Sequence, residues 1–190
     1  MLRTISRISV ALVCAASLTG AALAQSAATP PPNAFVLTSP VHKDGAFLDK
    51  KYSGPCYGDN VSLPLAWTNA PAGTKSFGIV LFDYDSGKGQ GTVHWVAYGI
   101  PADATSLAEG EATNPSPRIT GGSNMRQMAT YYGPCANAAD APHHYLFTVY
   151  ALDIAKDALP PGLTRDQFLE KTKGKVLANT TLVATFRRPN

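Results

Sequence analysis

The chain has 190 residues, with 16 Lys and Arg against 13 Asp and Glu and a net charge of +3. Its cations are scattered, apart from Arg187-Arg188 and the run Lys171, Lys173, Lys175 near the end. That distribution lacks the clustered basic face of a nucleic-acid binder, so nucleic acid is excluded as a partner.

Met1 to Arg7 hold two arginines and no acid, and Ile8 to Leu23 form an apolar stretch closed by Ala22-Leu23-Ala24. A positive start, a short apolar run and a small-x-small site predict a signal peptide over 1–24, cleaved after Ala24. A spanning helix would need about 20 apolar residues and no cleavage signal. Cys14 follows Val13, a bulky residue where lipid attachment requires a small one, so no stable membrane anchor is expected. The predicted product is periplasmic or secreted, with 166 residues and a net charge of +1 once Arg3 and Arg7 are removed. That length suits one domain. Residues 25–33, with Thr29-Pro30-Pro31-Pro32, are too rich in proline and small residues to build a core and read as a flexible tether. The domain is expected over 34–190.

Within it, period-two or short continuous apolar runs predict strands over Phe35–Thr38, Leu63–Trp67, Ser76–Asp83, Val93–Ile100, His143–Asp153 and Thr181–Phe186. Turn clusters separate them, and the glycine-rich segment Ser86 to Gly91 makes the runs at Ser76 and Val93 a hairpin. Cys56 and Cys135 remain after export, and an oxidising compartment predicts one disulfide between them, the alternative being two buried thiols. Ala102 to Tyr131 shows no periodicity and reads as a long loop of functional type. Thr164-Arg165-Asp166-Gln167 has the form of a capping box, with Phe168 and Leu169 as an apolar edge and Gly174 as a stop. It predicts one short helix. These elements fit a mainly β antiparallel sandwich with one or two short helices.

Alternation puts His143, Tyr145 and Phe147 on one face of their strand and turns His144 to the other. By the same rule Asp83 and Asp85 share a face, and His94 shares one with Val96 and Tyr98. Carboxylates, histidines, a tyrosine and the Gly133-Pro134 turn beside strand ends could form a concave polar patch. The enzyme motifs tested fit poorly. Gly121-Gly122-Ser123-Asn124-Met125 lacks the last glycine of a nucleophile elbow and follows no predicted strand. His143 and His144 are adjacent on a strand and cannot chelate one metal together, and Gly87 to Gly91 does not match a P-loop. No metal and no cofactor are expected.

Several segments together resemble the phosphatidylethanolamine-binding protein (PEBP) family in its bacterial, Raf-kinase-inhibitor-like branch. They are Cys56-Tyr57-Gly58-Asp59-Asn60 with Leu63-Pro64-Leu65-Ala66-Trp67, Pro71 to Ser76, Asp83-Tyr84-Asp85, His94-Trp95-Val96, Ile100-Pro101-Ala102, Tyr132-Gly133-Pro134-Cys135 and His143 to Asp153. They occur in the family's order and cover nearly the whole mature domain. The resemblance implies a large antiparallel sheet packed on a smaller one, with an anion-binding pocket formed by Asp83, Asp85, His94, Gly133, Pro134, His143 and Tyr145. It implies ligand contacts from backbone N–H near Gly133, the tyrosine hydroxyl and imidazole N–H, with Asp83 orienting a histidine. The family's D-P-D-A-P reads here Asp83-Tyr84-Asp85-Ser86-Gly87 and its H-R-Y reads His143-His144-Tyr145, while prolines expected after Cys135 are replaced by Ala136 to Asp140. The short stretch after Phe186 leads to the expectation of a more open pocket. The function expected is that of a non-catalytic module for a small anion, with a phospholipid head group, a protein segment or a second copy of the chain as further partners. The alternative is an ester or phosphate hydrolase using His94 as general base and Asp83 to orient it.

Overall fold

A computed structural model describes residues 31–189, so the predicted signal peptide and most of the tether lie outside the described residues. Among the described residues, eight strands form two antiparallel sheets. The smaller has the order β1 (Val36–Thr38), β2 (Leu65–Thr68), β5 (Ser106–Leu107); the larger has the order β6 (Thr120–Gly121), β4 (Thr92–Pro101), β3 (Ser76–Asp83), β7 (His143–Leu152), β8 (Val176–Phe186). The fold is mainly β, as the sequence predicts.

The sheets face each other through one apolar core. Alternate residues Phe77, Ile79 and Leu81 of β3 and Tyr145, Phe147 and Val149 of β7 point to the small sheet, where Leu65 and Trp67 meet them. The rings of Trp67 and Phe77 are 5.2 Å apart. The other face of the large sheet is apolar too, through Val80, Val96 and Tyr98, and helix α1 (Arg165–Lys171) covers it. The predicted capping box is present on both sides, with Thr164 Oγ1 accepting from Gln167 N–H and the Gln167 side chain accepting from Thr164 N–H. Phe168, fully buried, stacks 5.6 Å from Tyr98 over Gly78. A β-carbon on Gly78 would lie 2.6 Å from its ring, so this close approach requires glycine.

Two differences from the sequence reading have physical causes. β8 begins at Val176 rather than Thr181 because its first half pairs with β7 through Asn179↔Tyr150 and Ala178↔Ala151. Backbone bonding extends a strand whose side chains there alternate between half-buried and exposed, none of them fully buried. The long loop contributes β5 and β6, each only two residues long and so too short to show a period.

Candidate functional site

Asp83 ends β3, His94 lies near the start of β4, and His143 and Tyr145 begin β7. Registers Asp83↔Tyr145 and Asp83↔Thr92 bring these ends together. Simple alternation would give His94 to the face of Val96 and Tyr98. The structure corrects this, because Leu81 pairs with Trp95 while Phe82 pairs with Val93. His94 is thus the extra residue of a β-bulge, a device that re-aims a side chain. Its ring stands 5.1 Å from that of Tyr145, edge-on, and its Nε2 is 3.9 Å from Asp83 Oδ2. Asn124 holds the bulge by donating from Nδ2 to the carbonyls of His94 and Thr130, both at 3.1 Å.

The Asp83 carboxylate is only 3 % exposed. Its Oδ1 accepts the N–H groups of Asp85 and Ser86 at 3.1 Å, while Oδ2 accepts His143 Nδ1–H at 2.8 Å. With Nδ1 committed, His143 presents Nε2 outward, where Asp140 Oδ2 stands 3.9 Å away. Its side chain is 12 % exposed. The His94 Nδ1 lies 3.1 Å from the carbonyls of both Tyr132 and Gly133. Carbonyls only accept, so this nitrogen carries the proton. Burial pushes the His94 imidazole below its ordinary pKa, against the opposing pull of Asp83 and the two carbonyls.

Several expected contacts are already committed inside the protein. Gly133 N–H donates to Asn60 Oδ1 at 2.9 Å, and Pro134 presents its carbonyl to Gly54 N–H at 2.8 Å. The Tyr145 hydroxyl accepts from the N–H groups of Cys135 and Ala136 at 3.2 and 3.0 Å. Burial, reinforced by the Asp83 carboxylate, pushes this fully buried phenol's pKa up. Asp85 does not join the cluster; its Oδ2 accepts the backbone N–H of His144 at 2.6 Å and the imidazole at 2.8 Å. Burial alone would raise Asp85, but those hydrogen bonds outweigh it and hold the carboxyl below its ordinary value. His144 points away from His143, as alternation predicts, and its side chain is 58 % exposed.

Asp83, His94 and Tyr145 thus form a buried polar cluster, with His143 as its most exposed member. The rim is held without the family's prolines. Tyr84 N–H donates to His144 O at 3.1 Å, which a proline could not do, and Gly87 adopts a φ of 60° that proline cannot reach. Asn60, at a φ of 56°, ties the Tyr131–Gly133 segment down from the other side. The cystines Cys56 and Cys135 are bonded, with Cα atoms 6.1 Å apart, joining the same two segments. No sequence motif marks Asn60, Asn124 or Asp140, and the contacts of Asn60 with Tyr131 and Gly133 and of Asn124 with His94 join segments far apart along the chain. Among the described residues, no group of three or more His, Cys, Asp or Glu side chains is placed to hold a metal ion.

The family model for Phosphatidylethanolamine-binding protein matches residues 38–187. A UPF0098 protein of Aquifex aeolicus is 35% identical over 147 residues, 77% of this chain and 84% of the relative. A Mycobacterium tuberculosis protein, LppC, whose name describes a lipoprotein, is 38% identical over 162 residues, 84% of this chain and 77% of the relative. The crystal structure of Escherichia coli YbcL, described as a member of the mammalian PEBP family, is similar with a TM-score of 0.75 at 28% identity, covering 81% of this chain and 98% of that one.

Proposed function

The chain belongs to the phosphatidylethanolamine-binding protein family, and from that premise we propose that it is an exported, non-catalytic module that holds a small phosphate-type anion at His143. The observation that carries the reading is the His143 ring, with Nδ1–H fixed on buried Asp83 at 2.8 Å and Nε2 turned outward. When protonated, this imidazole donates Nε2–H to an incoming oxyanion while Asp83 balances its charge, a charge-assisted bond on a rigid mount. His94 and Tyr145 support that mount rather than touch the ligand. Asp140, 3.9 Å from His143 Nε2, stands where an anion's oxygen would sit and has to give way to it.

Against the hydrolase alternative, His94 is 3 % exposed and gives its Nδ1–H to two main-chain carbonyls, so a substrate has no access to it. Export is supported by the signal-type sequence over 1–24 and by the name of the LppC relative.

Calorimetric titration with inorganic phosphate and with phosphoethanolamine tests the proposal. Affinity should be higher at acidic than at alkaline pH, because only an imidazolium can offer Nε2–H to an anion while Nδ1–H stays on Asp83. His143→Ala should abolish binding, His144→Ala should leave it unchanged, and Asp140→Ala should strengthen it by removing the competing carboxylate. Equal losses from the two histidine variants, or affinity independent of pH, would overturn the reading.

A further inference from the structure

Beyond this cluster, a second cleft lies between the loop that runs beside β8 and the segment after it. Phe47, Lys50, Tyr57, Phe186, Arg187 and Arg188 line a space of about 350 Å³, within the ~300–1,000 Å³ range of small-molecule sites. Three of these side chains are cationic, and no acidic side chain lines the cleft. Among the described residues none of the three forms a salt bridge with a carboxylate, whereas Lys51, Lys75, Arg118 and Arg165 all do. Lys50 Nζ instead lies 5.1 Å from the Tyr57 ring centre, and Arg188 Nε is buried with no hydrogen-bond partner.

The aromatic side chains are as anomalous as the cations. Phe47 is 65% exposed and Tyr57 37%, although the backbone around Phe47 is firmly held. Leu48 N–H donates to Thr185 O at 2.8 Å and Thr185 N–H donates to Ala46 O at 2.9 Å, so a parallel bridge to β8 fixes Phe47 in an outward position. The floor is Phe186, whose ring is 6.2 Å from Tyr57 and 6.5 Å from Tyr145. Phe186 thus lies between the cleft and the Asp83 cluster, while Arg187 Nη1 donates to the Asp140 carbonyl at 3.4 Å on the side towards His143.

We infer that this cleft is a second binding site, for a small organic anion in which one phosphate or carboxylate group is joined to an aromatic body. The anionic group meets Lys50 and Arg187, and the ring covers Phe47 and Tyr57. The cations then gain an anionic partner, where the fold supplies Arg187 and Arg188 only with the neutral oxygens of the Asp140 carbonyl and the Asn137 side chain, and the exposed aromatic surface gains a cover.

Phenyl phosphate is the probe, titrated beside inorganic phosphate and phenol into the mature chain. Phenyl phosphate should bind more tightly than either fragment. The double variant Lys50→Gln/Arg187→Gln should weaken it at least about tenfold, the loss of one charged hydrogen bond or more, and Phe47→Ser should also weaken it. All three positions are at the surface, and thermal midpoints check that the variants fold. His143→Ala should leave phenyl phosphate binding intact, which separates this site from the anion site proposed above. Unchanged affinity in the double variant, loss of binding in His143→Ala, or a probe that binds no better than phenol would overturn the inference. So would a dimer that Phe47→Ser converts to monomers in a chain that ignores the probe, because the cleft would then be an interface between copies.

Discussion

At the residue scale, His94 shows how a group at the centre of a buried polar cluster can be unfit to carry its charge. Its folded pKa lies below the ordinary value chiefly because burial disfavours the imidazolium. Between that depressed value and the unfolded one near about 6.5, the unfolded chain binds a proton that the folded chain refuses. Stability therefore rises with pH across this window and falls on acidification. The urea midpoint should drop between pH 7.5 and 5.5, above the range where ordinary carboxylates titrate. His94→Asn, which keeps an N–H for the carbonyls of Tyr132 and Gly133, should lose much of that slope. A wild-type midpoint that climbs on acidification would contradict the assignment. Alternation along β7 puts His143 and His144 on the faces the structure shows, but on β4 it fails at the bulge, where His94 is the extra residue.

At the element scale, the short helix α1 rests on its packing, since seven residues are too few to persist alone in water. Its single fully buried side chain, Phe168, seals the outer face of the large sheet against Tyr98 and Tyr150. Phe168→Ala should lower stability by about 3–5 kcal/mol, the usual range for emptying an aromatic core site. Gly78→Ala should also destabilise, because its β-carbon would meet the same ring. Denaturant unfolding measures both effects, and in the double variant their losses should not add, since each acts on one contact. Full additivity would show that the helix is held elsewhere. Thr164 to Gln167 made this helix readable from the sequence, whereas β5 and β6 were hidden because two-residue strands form only against partners already in place.

At the scale of the whole molecule, the disulfide joins residues 79 apart and ties the Ser53–Asn60 segment to the strip that clamps His94 and Tyr145. Gly133 lies so close to Tyr52 and Gly54 that an added β-carbon would be 2.5 Å from Tyr52 O. Chain-entropy arguments give the cross-link about 4 kcal/mol. The Cys56→Ser/Cys135→Ser variant should lose stability on that scale and respond no further to reductant, while the wild type falls to its level on reduction. Equal stability of oxidised and reduced wild type would contradict this. Phosphate affinity should weaken as well, because the carbonyls that hold His94 against Asp83 lose their anchor.

Local patterns carried most of the architecture: the period-two runs, the capping box and the opposite faces of His143 and His144 all depend on neighbours along the chain. They were sufficient to indicate a mainly β sandwich and, with the family resemblance, to propose Asp83, Asp85, His94, Gly133, Pro134, His143 and Tyr145 as candidate site residues. The tertiary structure decided which of their atoms remain free. The β4 bulge turned His94 inward, Asn60 took the Gly133 N–H, the Cys135 and Ala136 amides took the Tyr145 hydroxyl, and Asp140 came to stand over His143. Each of these depends on strand register or on hydrogen bonds between segments remote in sequence, and a buried polar group takes whatever partner the packed fold brings to it.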